Sequence, residues 1–130
     1  MKFDQNKPSC EHFYWDGLAA LKEHRLAAII KAYMAFKANP SITLLGFMLD
    51  VVMASNFAPS YLEVMAVHDH GAKKYANKNY LGLKLDRILA SMRRHLLAVC
   101  FGEVIDNESG LRHVAHLMAN ILIAAELLIQ

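Results

Sequence analysis

Apolar residues recur along this chain at helical spacing, and no segment alternates apolar and polar positions with period two for long. From about Glu11 to Lys37, Leu18, Leu21, Leu26, Ile29, Ile30 and Tyr33 form the apolar side of one predicted helix. "ANPS" closes it, because Pro40 disfavours helical geometry at Asn39 and suits the start of a new element. A second helix, about Ile42 to Ala54, is apolar nearly all round and is expected to be buried. After "NFAPS" a third helix carries "YLEVMAVHDH", and "GAKKYANKNYLGL" follows as a basic, Asn-rich loop. A fourth, about Lys84 to Phe101, sets Leu85, Ile88, Leu89, Met92, Leu96, Val99 and Cys100 on one face, and Gly102 ends it. The fifth starts near Asn107 or Glu108, with Asn107 as N-cap, and runs to the C-terminus. The pattern predicts an all-α bundle of about five helices. Its last stretch, "ILIAAELLIQ", is too apolar for the free end of a monomer, so a homodimer or higher homo-oligomer is expected.

Composition narrows this picture without redirecting it. The 130 residues suit one domain, residues 1–130, and are too few for two comfortable ones. At 55% hydrophobic and 20% charged the chain is rich in apolar residues, yet its charge-free apolar runs fall short of the ~20 needed to cross a bilayer. No apolar run follows the N-terminal "MKFDQNKPSC", so no secretory signal is expected. Cys10 and Cys100 are isolated, as in a reducing cytosol, and a net charge of +2 predicts no direct nucleic-acid binding. The expectation is a cytoplasmic protein that makes no use of membranes.

Polar chemistry concentrates in "FGEVIDNESGLRHVAHLMAN". His113, His116 and Asn120 share one edge of the fifth helix, and His95 borders the stripe of the fourth. Antiparallel packing of the two across "GEVIDN" would face these edges into one cleft. Glu103, Asp106 and Glu108 would hang near one end of it, beside the N–H groups of the fifth helix. Carboxylates with imidazoles suit a divalent metal. Equally, acidic residues at a helix N-terminus serve its dipole, and a histidine at the edge of a stripe is commonly structural. Lys73, Lys74 and Lys78 beside Tyr75 and Tyr80 resemble a phosphate-and-base contact surface, although solvated Lys-Asn loops are common. Of Arg93 and Arg94, one is expected to face solvent and the other to reach a phosphate. His68 and His70 rank lower as a metal pair, since the first and third residues of a helical triplet diverge.

Together, "HGAKKYANKNY" and "RHLLAVCFGEVIDNESGLRHVAHLMANILIAAEL" resemble the phage dATP/dGTP diphosphohydrolase family of the MazZ type, related to the all-α MazG-like nucleoside triphosphate pyrophosphatases. The resemblance covers roughly Ala58 to Leu127, and "FDQNKP" looks like the family's opening "F-x-x-G-K-P". It takes in Glu63, Lys74, Tyr75, Asn79, Arg94, His95, Glu103, Asp106, Glu108, His113, His116 and Asn120. It implies a fold that binds a purine deoxynucleoside triphosphate with Mg²⁺ or Mn²⁺, water attacking the α-phosphorus to leave monophosphate and pyrophosphate. In that reading Glu63, Glu103, Asp106 and Glu108 hold metal, and His95, His113 and His116 complete the catalytic set. Lys73, Lys74, Tyr75, Asn79, Tyr80, Arg94 and Asn120 hold the substrate. Three departures stand out. Residues 11–57 read as an added helical hairpin before a hydrolase-like core at 58–130, Tyr80 replaces a common Trp, and the paired Glu-x-x-Glu and Glu-x-x-Asp motifs of the wider group are missing. A phage nucleotide-binding protein that sequesters its ligand intact is the alternative, ahead of a helical assembly module.

Overall fold

A computed structural model of the chain describes residues 7–74 and 84–130, and for Lys73 and Lys74 the backbone alone. Helices dominate the described residues: α1 (Trp15–Leu21), α2 (His24–Ala38), α3 (Ile42–Ala54), α4 (Tyr61–Lys74), α5 (Leu85–Cys100) and α6 (His113–Ile129). The all-α class is as the periodicity predicts. The single first helix is not, because the chain breaks at Lys22 and Glu23. Lys22 is extended, with ψ 160°, and the Glu23 carboxylate accepts from Leu26 N at 2.8 Å and Arg25 N at 3.1 Å. A side chain able to cap the next helix thus stops an apolar pattern that would otherwise run on.

Side-chain caps also set the later starts. Ser41 accepts from Leu44 N at α3. At α4, Ser60 and Glu63 form a reciprocal capping box, Ser60 N to Glu63 Oε2 at 2.8 Å and Glu63 N to Ser60 Oγ at 3.2 Å. Gly71 to Lys74 continue α4 where a loop is expected, and the rest of that loop lies outside the described residues.

The core gathers Ile29, Tyr33 and Phe36 of α2, Leu45 and Met48 of α3, Met92 and Leu96 of α5, and Leu117 and Ile121 of α6, all essentially without solvent contact. Each contributes roughly 1.5–3 kcal/mol of hydrophobic stabilisation. α3 buries less than its composition suggests. It packs on α2 and α6 through Leu45, Met48 and Val52, leaving Ile42, Phe47 and Met53 about half exposed on its outer side. The C-terminal run is better covered than expected, since Ile121 and Ala124 are buried while Ile129 stays exposed.

A strap formed by residues 7–14 crosses back over the bundle. Arg93, 5% exposed, donates from Nε to Ser9 O at 2.7 Å and from Nη1 to Tyr33 Oη at 2.9 Å. It therefore faces neither solvent nor the cavity described below. Trp15 Nε1 donates to Cys10 O, and the indole lies tilted on the Tyr33 ring, centroids 5.2 Å apart. No helix among the described residues is long and apolar enough to cross a membrane.

Candidate functional site

The connection between α5 and α6 is built to return side chains onto the bundle. Gly102, at φ +80°, donates to Val99 O, and Glu103 N donates to Ala98 O at 2.9 Å. This is a Schellman closure of α5, and it turns the chain sharply at a glycine. Ile105 and Arg112 then pair as an isolated antiparallel bridge. Between them Asp106 Oδ2 accepts from Ser109 N at 3.0 Å and Ser109 Oγ at 2.7 Å, and Gly110 takes φ +74°. Such a turn competes with helix and wins here, so α6 begins at His113 and Asn107 caps nothing. Asp106 is consequently no helix-dipole residue, and the first N–H of α6 is spent on Val104 O at 2.9 Å.

The expected antiparallel packing of α5 on α6 follows from the pairs they form. Asn120 Nδ2 donates to Ser91 Oγ at 3.1 Å at one level, and His95 meets His113 at the other. Three imidazoles collect there. His95 and His113 approach Nδ1 to Nδ1 at 2.8 Å, and His95 stacks on His116 with centroids 4.4 Å apart and planes 7° from parallel. His113 Nε2 contacts Glu103 Oε1 at 3.0 Å, while His116 Nε2 lies 2.7 Å from Ser109 Oγ and 3.4 Å from Asp106 Oδ2. Burial, reinforced by His116, His113 and Arg94 and opposed by Asp106, holds the His95 pKa well below the ordinary imidazole value. Burial pushes the Asp106 carboxyl up, but the two Ser109 hydrogen bonds and the neighbouring His116 and His95 outweigh it and leave its pKa lowered.

Beside these groups lies a cavity of about 240 Å³ between α4, α5, the connection and α6. Of the residues singled out in the sequence, His95, His113, His116, Arg94, Asn120, Asp106 and Glu108 all line it. Glu103 does not; it stands behind His113, its side chain 59% exposed. Glu63 is elsewhere, clamped by Arg112 through Nε at 2.6 Å and Nη2 at 2.8 Å. That guanidinium, with the Ser60 N–H, lowers its pKa to about 2. Its charge is already answered, and it contributes to joining α4 to the start of α6. Tyr75, Asn79 and Tyr80 lie outside the described residues, as do the side chains of Lys73 and Lys74.

The cavity also holds groups that spacing alone did not select. His68 and His70, set aside because they diverge on a helix, both line it, and His70 Nε2 lies 4.0 Å from Glu108 Oε1. Ser91 and Arg87 sit one and two turns before Arg94 and His95 on the same face of α5. Lys7 arrives from the strap and donates to Glu108 Oε2 at 2.7 Å. The sequence signal for Lys7 is the likeness of "FDQNKP" to the family opening.

For a metal the donor set is small. Among the described residues no three His, Cys, Asp or Glu side chains gather as a cage. Asp106 and Glu108 nonetheless share the cavity. A Mg²⁺ ion commonly keeps several waters and takes one or two carboxylates plus substrate phosphates, and that pair fits this role.

Among curated proteins, a dATP/dGTP diphosphohydrolase of Salmonella phage PMBT28 is 37% identical over 60 residues, which are 46% of this chain and 21% of that protein. The chain thus matches about a fifth of the length of this curated relative. No solved structure matches significantly. The family model described as "dATP/dGTP diphosphohydrolase, N-terminal" matches residues 32–130, from within α2 through every cavity-lining residue but Lys7, and the chain belongs to that family.

Proposed function

We propose that the cavity binds a purine deoxynucleoside triphosphate, dATP or dGTP, and hydrolyses it to the monophosphate and pyrophosphate. The observation that carries this reading is the meeting of five imidazoles, two carboxylates and three cationic side chains, Lys7, Arg87 and Arg94, around one cavity. The family and the name of the phage relative support the nucleotide class.

In this reading Arg94, Arg87 and Lys7 neutralise the phosphate oxygens, and Arg94 offers planar, forked donors suited to them. Asp106 and Glu108 are the carboxylates that would hold Mg²⁺ or Mn²⁺, which supplies charge stabilisation to the leaving pyrophosphate. Glu108 would exchange Lys7 for the metal as Lys7 turns to phosphate. His95, neutral through burial, accepts a proton from the water that adds to the α-phosphorus. Ser109 and Asp106 hold the His116 ring in place beside it.

Chromatographic mass balance after incubation with dATP or dGTP and Mn²⁺ tests the proposal. Monophosphate and pyrophosphate in equal amounts are expected. Nucleotide recovered intact but retained on the protein would replace the hydrolase with a sequestering protein. Asp106→Asn and His116→Ala should each lower turnover at least about tenfold. Each should cost about 1–2 kcal/mol in stability through lost hydrogen bonds. Full turnover in both variants would place the chemistry elsewhere.

A further inference from the structure

The contacts of His113 determine which protons the imidazole pair carries. A carboxylate oxygen only accepts, so the 3.0 Å contact between Glu103 Oε1 and His113 Nε2 requires a proton on Nε2. A neutral His113 then has a bare Nδ1. The 2.8 Å contact between the two Nδ1 atoms must therefore take its proton from His95. With the proton of His95 on Nδ1, the lone pair of the neutral ring lies on Nε2. No buried side-chain nitrogen or oxygen among the described residues lacks a partner, and His95 Nε2 makes no hydrogen bond within them. That nitrogen is therefore reached by solvent, and the residue that carries it lines the cavity.

We propose that Glu103 is a positioning residue that fixes, through His113, the Nδ1–H tautomer of His95, so that the His95 Nε2 lone pair is presented to the cavity. The Schellman closure of α5 puts Glu103 where it does this, since its own N–H is bonded back to Ala98 O. Its exposed carboxylate and the 8% exposed His113 side chain make a link from solvent to a buried ring. Glu103 and His113 then hold no metal, since both ring nitrogens of His113 are engaged by Glu103 and His95. The use of the Nε2 lone pair to take a proton from water rests on the hydrolase reading, whereas the tautomer rests on the contact geometry with a neutral His113.

Long-range ¹H–¹⁵N correlation spectra of the full chain, labelled in its imidazole nitrogens, read the tautomer directly at about pH 7.5, above the ordinary imidazole range. His95 should show a protonated Nδ1 and a bare Nε2. Glu103→Ala should convert the His95 and His113 signals to tautomer mixtures, and Glu103→Gln, which can still accept at His113 Nε2, should restore much of the native pattern. In dATP hydrolysis Glu103→Ala should lower kcat roughly 10–100-fold with little change in KM, as when an orienting partner is lost, and Glu103→Gln should fall less. A wild-type His95 protonated at Nε2, or a tautomer that Glu103→Ala leaves unchanged, overturns the proposal whatever the activity. The expected spectra in a protein that turns over no nucleotide would leave the tautomer assigned and remove the hydrolase reading instead.

Discussion

Burial strips water from His95, and its neighbours add to that effect, so the folded chain resists protonating it where the unfolded chain accepts a proton readily. The consequence has a definite sign. The stabilisation is fully present above about pH 6.5, the unfolded value, and drains away as pH falls towards the depressed folded value. Half-buried His68, also lowered by desolvation, contributes in the same direction. His95→Asn removes one proton-binding group, so its stability should fall less than that of the wild type between about pH 7 and 5 in urea titrations. Parallel curves would mean that the folded ring takes up the proton freely. The grouping of His95, His113 and His116 was readable from spacing, because residues three apart share an edge wherever the helix begins. The direction of each ring was not, since it depends on a turn whose Asp106 and Ser109 bond to each other.

Helix ends record the same competition between apolar pattern and local polar bonding. Periodicity located α3 and α5 closely, yet it missed the Glu23 cap that splits the first helix and placed the start of α6 too early. Capping by a glutamate at this position has no strong compositional signature. Glu63 illustrates a residue whose type suggested a ligand and whose surroundings made it a fastener. It caps α4 and grips Arg112, the N-cap of α6, with both side chains 31% exposed. Glu63→Gln should cost about 1 kcal/mol near neutral pH, a screened pair being worth no more. Since the Glu63 pKa drops from 4.5 to about 2 in the fold, that difference should be full above pH 4.5 and vanish as pH approaches 2. Thermal melts of both proteins across that range check it. A pH-independent gap would point to lost packing and not to lost charge.

At the scale of the whole molecule, Arg93 is the joint between strap, α2 and α5. Arg93→Met keeps the bulk but leaves Tyr33 Oη and Ser9 O without their donor, at about 1–3 kcal/mol. Nucleotide affinity should fall with stability, because Lys7 reaches the cavity only while residues 7–10 stay seated; intact affinity would separate strap from site. No local pattern announces a contact such as Lys7 to Glu108, spanning 101 residues of chain, so Lys7 was visible only through likeness. The half-exposed Ile42, Phe47 and Met53 of α3 and the exposed Tyr61, Leu62 and Met65 of α4 lead us to expect a homo-oligomer. A single monomeric species by light scattering at micromolar concentration would contradict it. Trp15, the sole tryptophan, gives this architecture an optical readout. Its indole N–H is tied to Cys10 O and its ring rests on Tyr33, so unseating the strap would turn it to water. The emission would move to the red, and a nucleotide that drew Lys7 inward would shift the fluorescence of an unlabelled protein from outside the cavity itself.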